Sequence, residues 1–495
     1  MRGRVSGRPL TATVALTVAG FMSAAVLGVP APASAAARGP MVRAVIAVTD
    51  GTRLPFAVPG GRVLASMPHL DTELVSAPAS ELQGLAGDPH VVGIAPDRAM
   101  RVAGYRSGGS HRDGVLASQF LGGVAGRHGT GTGVTVALLD TGVSDTPALS
   151  RASGRLQDGV DVSRLAAGDP ARKSGLFTDG YGHGTFMASL IAGGPVPGSH
   201  GRALGIAPAA HVVVVKVADS QGTTTLSQVL AGLDWVAANA HGIQIANLSL
   251  AQTRPTGQVY GADPLTAGIE HVRAAGVLVV VAAGNTPGSV GDPGDDPQAL
   301  TVGAADVSDG RPQVASFSGG AVVDGVVKPD IVAPGAHVLG EINPDSLIAR
   351  EHPGAYTRAG LFLGSGTSEA TAVTTGVAAA YLSAHPGARP LAVKTAIRTA
   401  AQGMCTWGSG AGLVTMAGGG TPCRGTNPSG VDVRRDPTGE ASFDANAWQA
   451  NAWLGGAWEN WLASSWSASS WSGSSWAASS WSASSWSDAG WGDDS

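Results

Sequence analysis

Four residues of this chain, each near a glycine, have the functional groups for nucleophilic chemistry at a carbonyl. They are Asp140 in LLDTGV, His183 in GHGTFMAS, Asn285 in AAGN and Ser368 in SGTS. A serine hydroxyl is a poor nucleophile at neutral pH and needs a base within hydrogen-bond reach. A histidine can take that proton and give it to a leaving group, while a carboxylate fixes the imidazole tautomer and stabilises the imidazolium. An amide side chain and a backbone N–H can donate to the oxyanion that forms. Each motif alone has an ordinary reading. Asp-Thr-Gly also occurs where two carboxylates share a proton, a histidine near glycine often caps a helix, and Asn after a strand is commonly a turn residue. The combination and its order carry the argument, because Asp, His, Ser is one of the chain orders that catalytic triads take.

These residues must be positioned by secondary structure, and the sequence supplies it. From about Val115 to Gly403, apolar runs alternate with helical stretches. The runs VTVALLD (134–140), HVVVVKV (211–217), IQIANLSL (243–250), VLVVVAAGN (277–285) and ALTVGAA (299–305) are predicted strands. They are apolar on both faces, as strands of a covered parallel sheet must be. GTFMASLIAGG, LSQVLAGLDWVAANA, PLTAGIEHVRAAG, SEATAVTTGVAAAYLSAH and PLAVKTAIRTAA are predicted helices. The alternation gives an α/β fold with helices on both faces of the sheet, and ligands of such sheets sit at the carboxyl ends of the strands. Asp140 and Asn285 end predicted strands there, and Ser368 opens a predicted helix at its positive end.

Together these motifs, with GIAPAAHVVVVKV (205–217) and KPDIVAPG (328–335), resemble the subtilases, the subtilisin-like serine peptidases. The resemblance covers roughly 115–403, the expected catalytic domain. It implies a three-layer fold with a parallel sheet of about seven strands. It implies endopeptidase activity on protein or peptide substrates, with Asp140, His183 and Ser368 as triad and Asn285 as oxyanion donor. Ser249 and Leu250 in NLSL would pair with substrate backbone and help wall the S1 pocket; the alternative is an ordinary buried strand. Residues 36–104 are similar to the family's inhibitory prosegment, a small α+β domain that assists folding, occupies the groove and is cut away. The alternative is a permanent N-terminal domain. Two departures stand out. Glu369 to Ala372 replace the usual Met-Ala-Ala/Thr-Pro after the nucleophile, and Ala251 replaces a glycine. Glu369 suits a helix N-terminus and either brings a charge beside Ser368 or faces outward.

The remaining zones bound the setting. Residues 1–35 read as a signal peptide: a basic head with Arg2, Arg4 and Arg8, an apolar run, then Ala33-Ser34-Ala35. An uncleaved anchor is the alternative reading; the small-residue motif favours cleavage and a secreted, extracellular product. Residues 105–114 read as a linker, and 404–445 as a second linker in which Cys405 and Cys423 either form a disulfide or remain thiols. Residues 446–495 repeat tryptophan mostly every fifth position between Ser and Ala; of the 12 tryptophans only Trp235 and Trp407 lie elsewhere. That tail reads as a disordered anchor for polysaccharide or the cell surface, or as a small solenoid. No cofactor is required. Structural calcium is a family property, but GDPGDDP (291–297) lacks a ligand spacing, so it reads as a solvated loop and no metal ligand is assigned. A net charge of -5 with no basic block outside the extreme N-terminus gives no electrostatic case for nucleic acid. Two other functions stay open: an idle binding or scaffold protein acting through its tryptophan tail, and a narrow maturation peptidase.

Overall fold

The structure, a computed structural model, describes residues 40–49, 58–85, 88–101, 114–121, 129–165, 171–197, 199–251, 264–323, 326–404 and 406–416. The signal segment, most of the first linker, Cys405, Cys423 and the tryptophan tail lie outside the described residues.

An N-terminal module contains β1 (Met41–Val48), β2 (Arg62–Met67), β3 (Thr72–Pro78), α1 (Ala79–Leu85) and β4 (Val91–Pro96). Its antiparallel sheet runs β2-β3-β1-β4. One face of β1 buries Ala44, Ile46 and Val48 against Leu82 and Leu85 of α1. The other turns Val45, with Met67, Leu70 and Leu74, toward the larger domain. A short strand, β5 (Ala99–Arg101), follows, then the one-turn helix α2 (Ala117–Phe120).

The larger domain is built on β6 (Thr135–Asp140), β7 (Leu156–Asp161), α3 (His183–Ala192), β8 (His211–Lys216), β9 (Thr223–Thr225), α4 (Leu226–Ala238), β10 (Ile245–Leu248), α5 (Pro264–Ala274), β11 (Leu278–Ala282) and β12 (Leu300–Asp306). The short strands β13 (Gln313–Val314), β14 (Ala321–Val323), β15 (Val326–Lys328), β16 (Ile331–Pro334) and β17 (Val338–Gly340) follow. The chain continues through α6 (Leu347–Glu351), β18 (Phe362–Gly364), α7 (Thr367–Ala384) and α8 (Pro390–Ala400). The main sheet is ordered β13-β12-β11-β10-β6-β8-β7, with β16 also beside β12. All its pairings are parallel except that of β13.

Strand alternation sorts the core into two layers. Val136, Leu138, Val212, Val214, Val280 and Val302 face α3 and α7. Ala137, Leu139, Val213, Val215, Val279 and Val281 face α4 and α5. The result is the expected three-layer α/β arrangement. α7 is buried around most of its circumference, which its small residues allow and which leaves it without a polar stripe.

Two expectations need correction. The GDPGDDP loop is not solvated: Asp292, Asp295 and Asp296 are 1%, 2% and 0% exposed. Asp296 accepts the backbone N–H groups of Gln298 and Ala299, and Arg98 of the N-terminal module pairs with Asp292. The packed domain also runs past 403, because Leu413 bridges Gln402 and Val332, and Val414 is fully buried.

Candidate active site

Asp140 is the last residue of β6, and the chain must turn sharply after it. Gly142 makes this turn with φ 101°, and a Cβ there would sit 3.0 Å from the carbonyl oxygens of Leu176 and Thr178. A left-handed conformation in so tight a place requires glycine. The turn aims Asp140 at α3, whose first residue is His183. Both carboxylate oxygens lie 2.9 Å from His183 Nδ1. A carboxylate only accepts, so Nδ1 donates and Nε2 is the acceptor nitrogen of the neutral ring. Nε2 is buried and has no hydrogen-bond partner among the described residues. Gly184 permits this approach: a Cβ on it would fall 2.1 Å from the Gly142 carbonyl oxygen.

The start of α3 depends on Asp179, a residue the sequence reading did not single out. Its buried carboxylate accepts from the N–H groups of Gly182 (2.7 Å) and Thr185 (2.8 Å) and from the hydroxyls of Thr185 (2.7 Å) and Thr141 (2.8 Å). Burial is the largest influence on Asp179 and raises its pKa, although these donors favour the charged form. The sequence signal was a carboxylate just ahead of a helix start, which commonly satisfies the orphan N–H groups there. Thr141 completes the link: its backbone N–H donates to Asp140 at 2.8 Å, and its hydroxyl accepts from Gly184 N–H at 3.0 Å.

Ser368 and Asn285 arrive from the other side. Ser368 is the second residue of α7, and its hydroxyl donates to the Ser249 carbonyl at 3.2 Å. Asn285 follows β11; its Oδ1 accepts from the Thr367 N–H at 2.9 Å and the Thr367 hydroxyl at 3.0 Å. Because the backbone N–H can only donate, the amide oxygen is the atom bound there, and Nδ2 is left directed elsewhere. Nδ2 lies 3.4 Å from the position of a Cβ on Gly366. Ser249 and Leu250 follow β10 and are fully buried. The Ser249 hydroxyl lies 3.0 Å from Asn247 Oδ1 and 3.2 Å from the Ser368 carbonyl, and its single proton serves one of these acceptors at a time, while Leu250 packs in the core with Leu226 and Val229.

Glu369 does not face outward. It is 2% exposed, and burial pushes its carboxyl up to about 7 against the pull of His183 and of its own N–H. His183 in turn is held above its ordinary value. Burial, the largest single influence, disfavours the charged ring, but Asp140, Glu369 and Asp179 together outweigh it.

Residues 131–430, more than half of the chain, match the profile of the Subtilase family. The chain belongs to the subtilase family. Among curated subtilases, it is 35% identical over 257 residues to serine protease AprX of Bacillus subtilis, covering 49% of this chain and 55% of that one. It is 35% identical over 210 residues to subtilisin Savinase of Lederbergia lenta, covering 42% of this chain and 66% of that one. The chain thus spans between about half and two thirds of these relatives' lengths. Its fold is similar to that of fervidolysin from Fervidobacterium pennivorans, described as a keratinolytic enzyme related to subtilisin. The TM-score is 0.60 at 21% identity, covering 76% of this chain and 60% of that one. Within a subtilase, the residues brought together at the strand ends are the place to expect chemistry. Among the described residues, no cluster of three or more His, Cys, Asp or Glu could hold a metal ion. No helix among them is long and apolar enough to cross a membrane.

Proposed function

We propose that this subtilase is a secreted serine endopeptidase that cleaves peptide bonds through an acyl-enzyme, with Ser368 as nucleophile. The observation that carries the reading is the buried contact of Asp140 with His183 Nδ1, which leaves Nε2 as an acceptor with no partner among the described residues. The Ser368 hydroxyl leaves the Ser249 carbonyl, gives its proton to His183 Nε2, and Oγ bonds to the substrate carbonyl carbon. The oxyanion takes donors from Asn285 Nδ2 and the Ser368 N–H. His183 then protonates the leaving amine, and water repeats the sequence on the ester. Asp140 stabilises the imidazolium throughout and is not itself protonated.

The N-terminal module is read as an inhibitory prosegment, and its docking supports that. β5 pairs antiparallel with β9, Met100 opposite Thr224. The two form a separate two-stranded sheet, so backbone hydrogen bonds hold the end of the module against the larger domain. Asp97 accepts the Ser227 N–H of α4 at 2.9 Å, and Met67, Leu70 and Leu74 share a core cluster with Leu230, Leu233 and Ile269. Export through the leader and surface attachment through the tryptophan tail complete the reading.

The test is hydrolysis of an unfolded protein such as reduced, alkylated casein by the secreted product. Activity in wild type and its loss in Ser368→Ala support the reading; equal activity in both contradicts it. A scaffold without catalysis predicts no hydrolysis by either, and a narrow maturation peptidase predicts cleavage of its own 97–118 segment but not of casein.

A further inference from the structure

Glu369 directly follows Ser368 in the first turn of α7. Its carboxyl fills a notch left by two glycines. A Cβ on Gly364 would lie 2.7 Å from Oε1, and one on Gly366 would lie 2.6 Å from Oε2. The Phe186 ring closes the notch, 2.6 Å from the same Gly364 Cβ position, and Phe186 lies one turn after His183 on α3. Burying a carboxyl costs several kcal/mol unless something compensates it, and the chain has cleared this space with two glycines next to its nucleophile.

The ionisable groups that face Glu369 are His183 from α3 and Asp140 from the end of β6. Those that face His183 are Asp140, Glu369 and Asp179. Asp179 is engaged by Thr141, Gly182 and Thr185. Tyr181, beside them, is pushed up to about 12 by burial and stays neutral near pH 7. Asn285, Thr367 and Ser249 at the same end of α7 carry no charge. Lys394 of α8, which packs on α7, is bound to Asp330 and to the Pro297 and Ala299 carbonyls.

We propose that Glu369 is a positioning residue of this site: a second buried carboxylate that acts with Asp140 on protonated His183 and so sets the pH at which the base becomes available. The inference rests on the triad reading above. The sign follows from the charges. A negative Glu369 favours imidazolium, so His183 gives up its proton only at a higher pH. Removing that charge frees the base earlier. Burial holds Glu369 itself near neutrality, so its ionisation and that of His183 overlap and the two titrate as a pair.

Two readouts on the full chain separate this inference from the triad reading. The first is the His183 ring proton titration by NMR in Ser368→Ala, compared with Ser368→Ala carrying Glu369→Gln or Glu369→Met. Gln keeps the shape and Met keeps the length, and melting curves establish which variants are folded. The second is the acid limb of kcat/KM against pH for wild type, Glu369→Gln and Glu369→Asp. Both neutral variants should lower the His183 midpoint by at least about half a pH unit. The acid limb should move the same way and return toward wild type with Asp. An unchanged or raised His183 midpoint in a folded neutral variant overturns the role of Glu369, even if the enzyme is active. If no variant hydrolyses peptide, the triad reading fails while the NMR midpoint still decides the coupling.

Discussion

Asp140 grips His183 with both carboxylate oxygens 2.9 Å from Nδ1, and the side chains are 1% and 3% exposed. That geometry fixes the ring orientation and the tautomer together. Asp140→Asn keeps the shape, but its amide can donate to Nδ1 and turn the proton to Nε2, where a base cannot use it. We expect kcat to fall about 10⁴-fold with KM little changed, measured by steady-state hydrolysis of a chromogenic peptide. A loss under tenfold would mean that Asp140 does not orient the base.

The observed anchoring role of Asn285 can be separated from its proposed role at the oxyanion. Its Oδ1 anchors the Thr367 N–H at the start of α7, while Nδ2 is read as an oxyanion donor. Asn285→Ala should lower kcat about 10²–10³-fold, the usual cost of one such donor. Thr367→Val removes the hydroxyl bond to Oδ1 but keeps the backbone anchor, so its loss in kcat should be much smaller. Equal losses in the two variants would assign Asn285 to holding the helix rather than the oxyanion.

Acid stability should depend on a buried ion cluster far from the chemistry. Lys328 is 1% exposed, 2.8 Å from Asp330 Oδ2 and 2.8 Å from the Thr301 hydroxyl. Burial disfavours the Asp330 carboxylate, but Lys328, Lys394 and Arg398 overcome this and hold its pKa well below the usual carboxylate range. A carboxyl depressed on folding contributes stability that is full above its unfolded pKa of about 4. That contribution is lost as pH falls through the folded value. Asp330→Asn leaves Lys328 buried without its anion and should cost about 3–5 kcal/mol at neutral pH, with the gap narrowing in acid. Denaturant melts of the Ser368→Ala background at neutral and acid pH measure both; a gap independent of pH contradicts the assignment.

The N-terminal module should be thermodynamically part of the precursor. Leu70 is 1% exposed and shares a core cluster with Leu230, Leu233 and Ile269. In Ser368→Ala, which keeps the chain uncut if Ser368 is the nucleophile, Leu70→Ala should cost about 2–5 kcal/mol, as buried leucine truncations do. Calorimetry of the intact precursor reads this as a lower first transition. An unchanged profile would show that the module does not lean on α4 and α5.

The strands that carry the site were legible because they are buried on both faces: β6, β8, β10, β11 and β12 are mostly apolar and buried along nearly their whole length. β7 was not, because LQDGVD lies at the sheet edge and keeps half-exposed Gln157 and exposed Asp158. β16 was quoted as a motif but is only four residues long and ends in proline. In the module, β3 runs through Pro78 and α1 follows directly at Ala79, with no loop between them to mark the change. Glu369 stayed ambiguous since a helix buried nearly all round offers no polar face to assign it to. The acidic loop misled for another reason: the cation on Asp292 is Arg98, 194 residues away in sequence. No local pattern announces such a partner.

Fluorophosphonate labelling followed by peptide mass mapping asks whether Ser368 is an activated nucleophile. One covalent adduct is expected on Ser368 of the processed wild type, absent from Ser368→Ala and strongly slowed in Asp140→Asn. An adduct on another serine, or none on a folded, processed wild type, would contradict it.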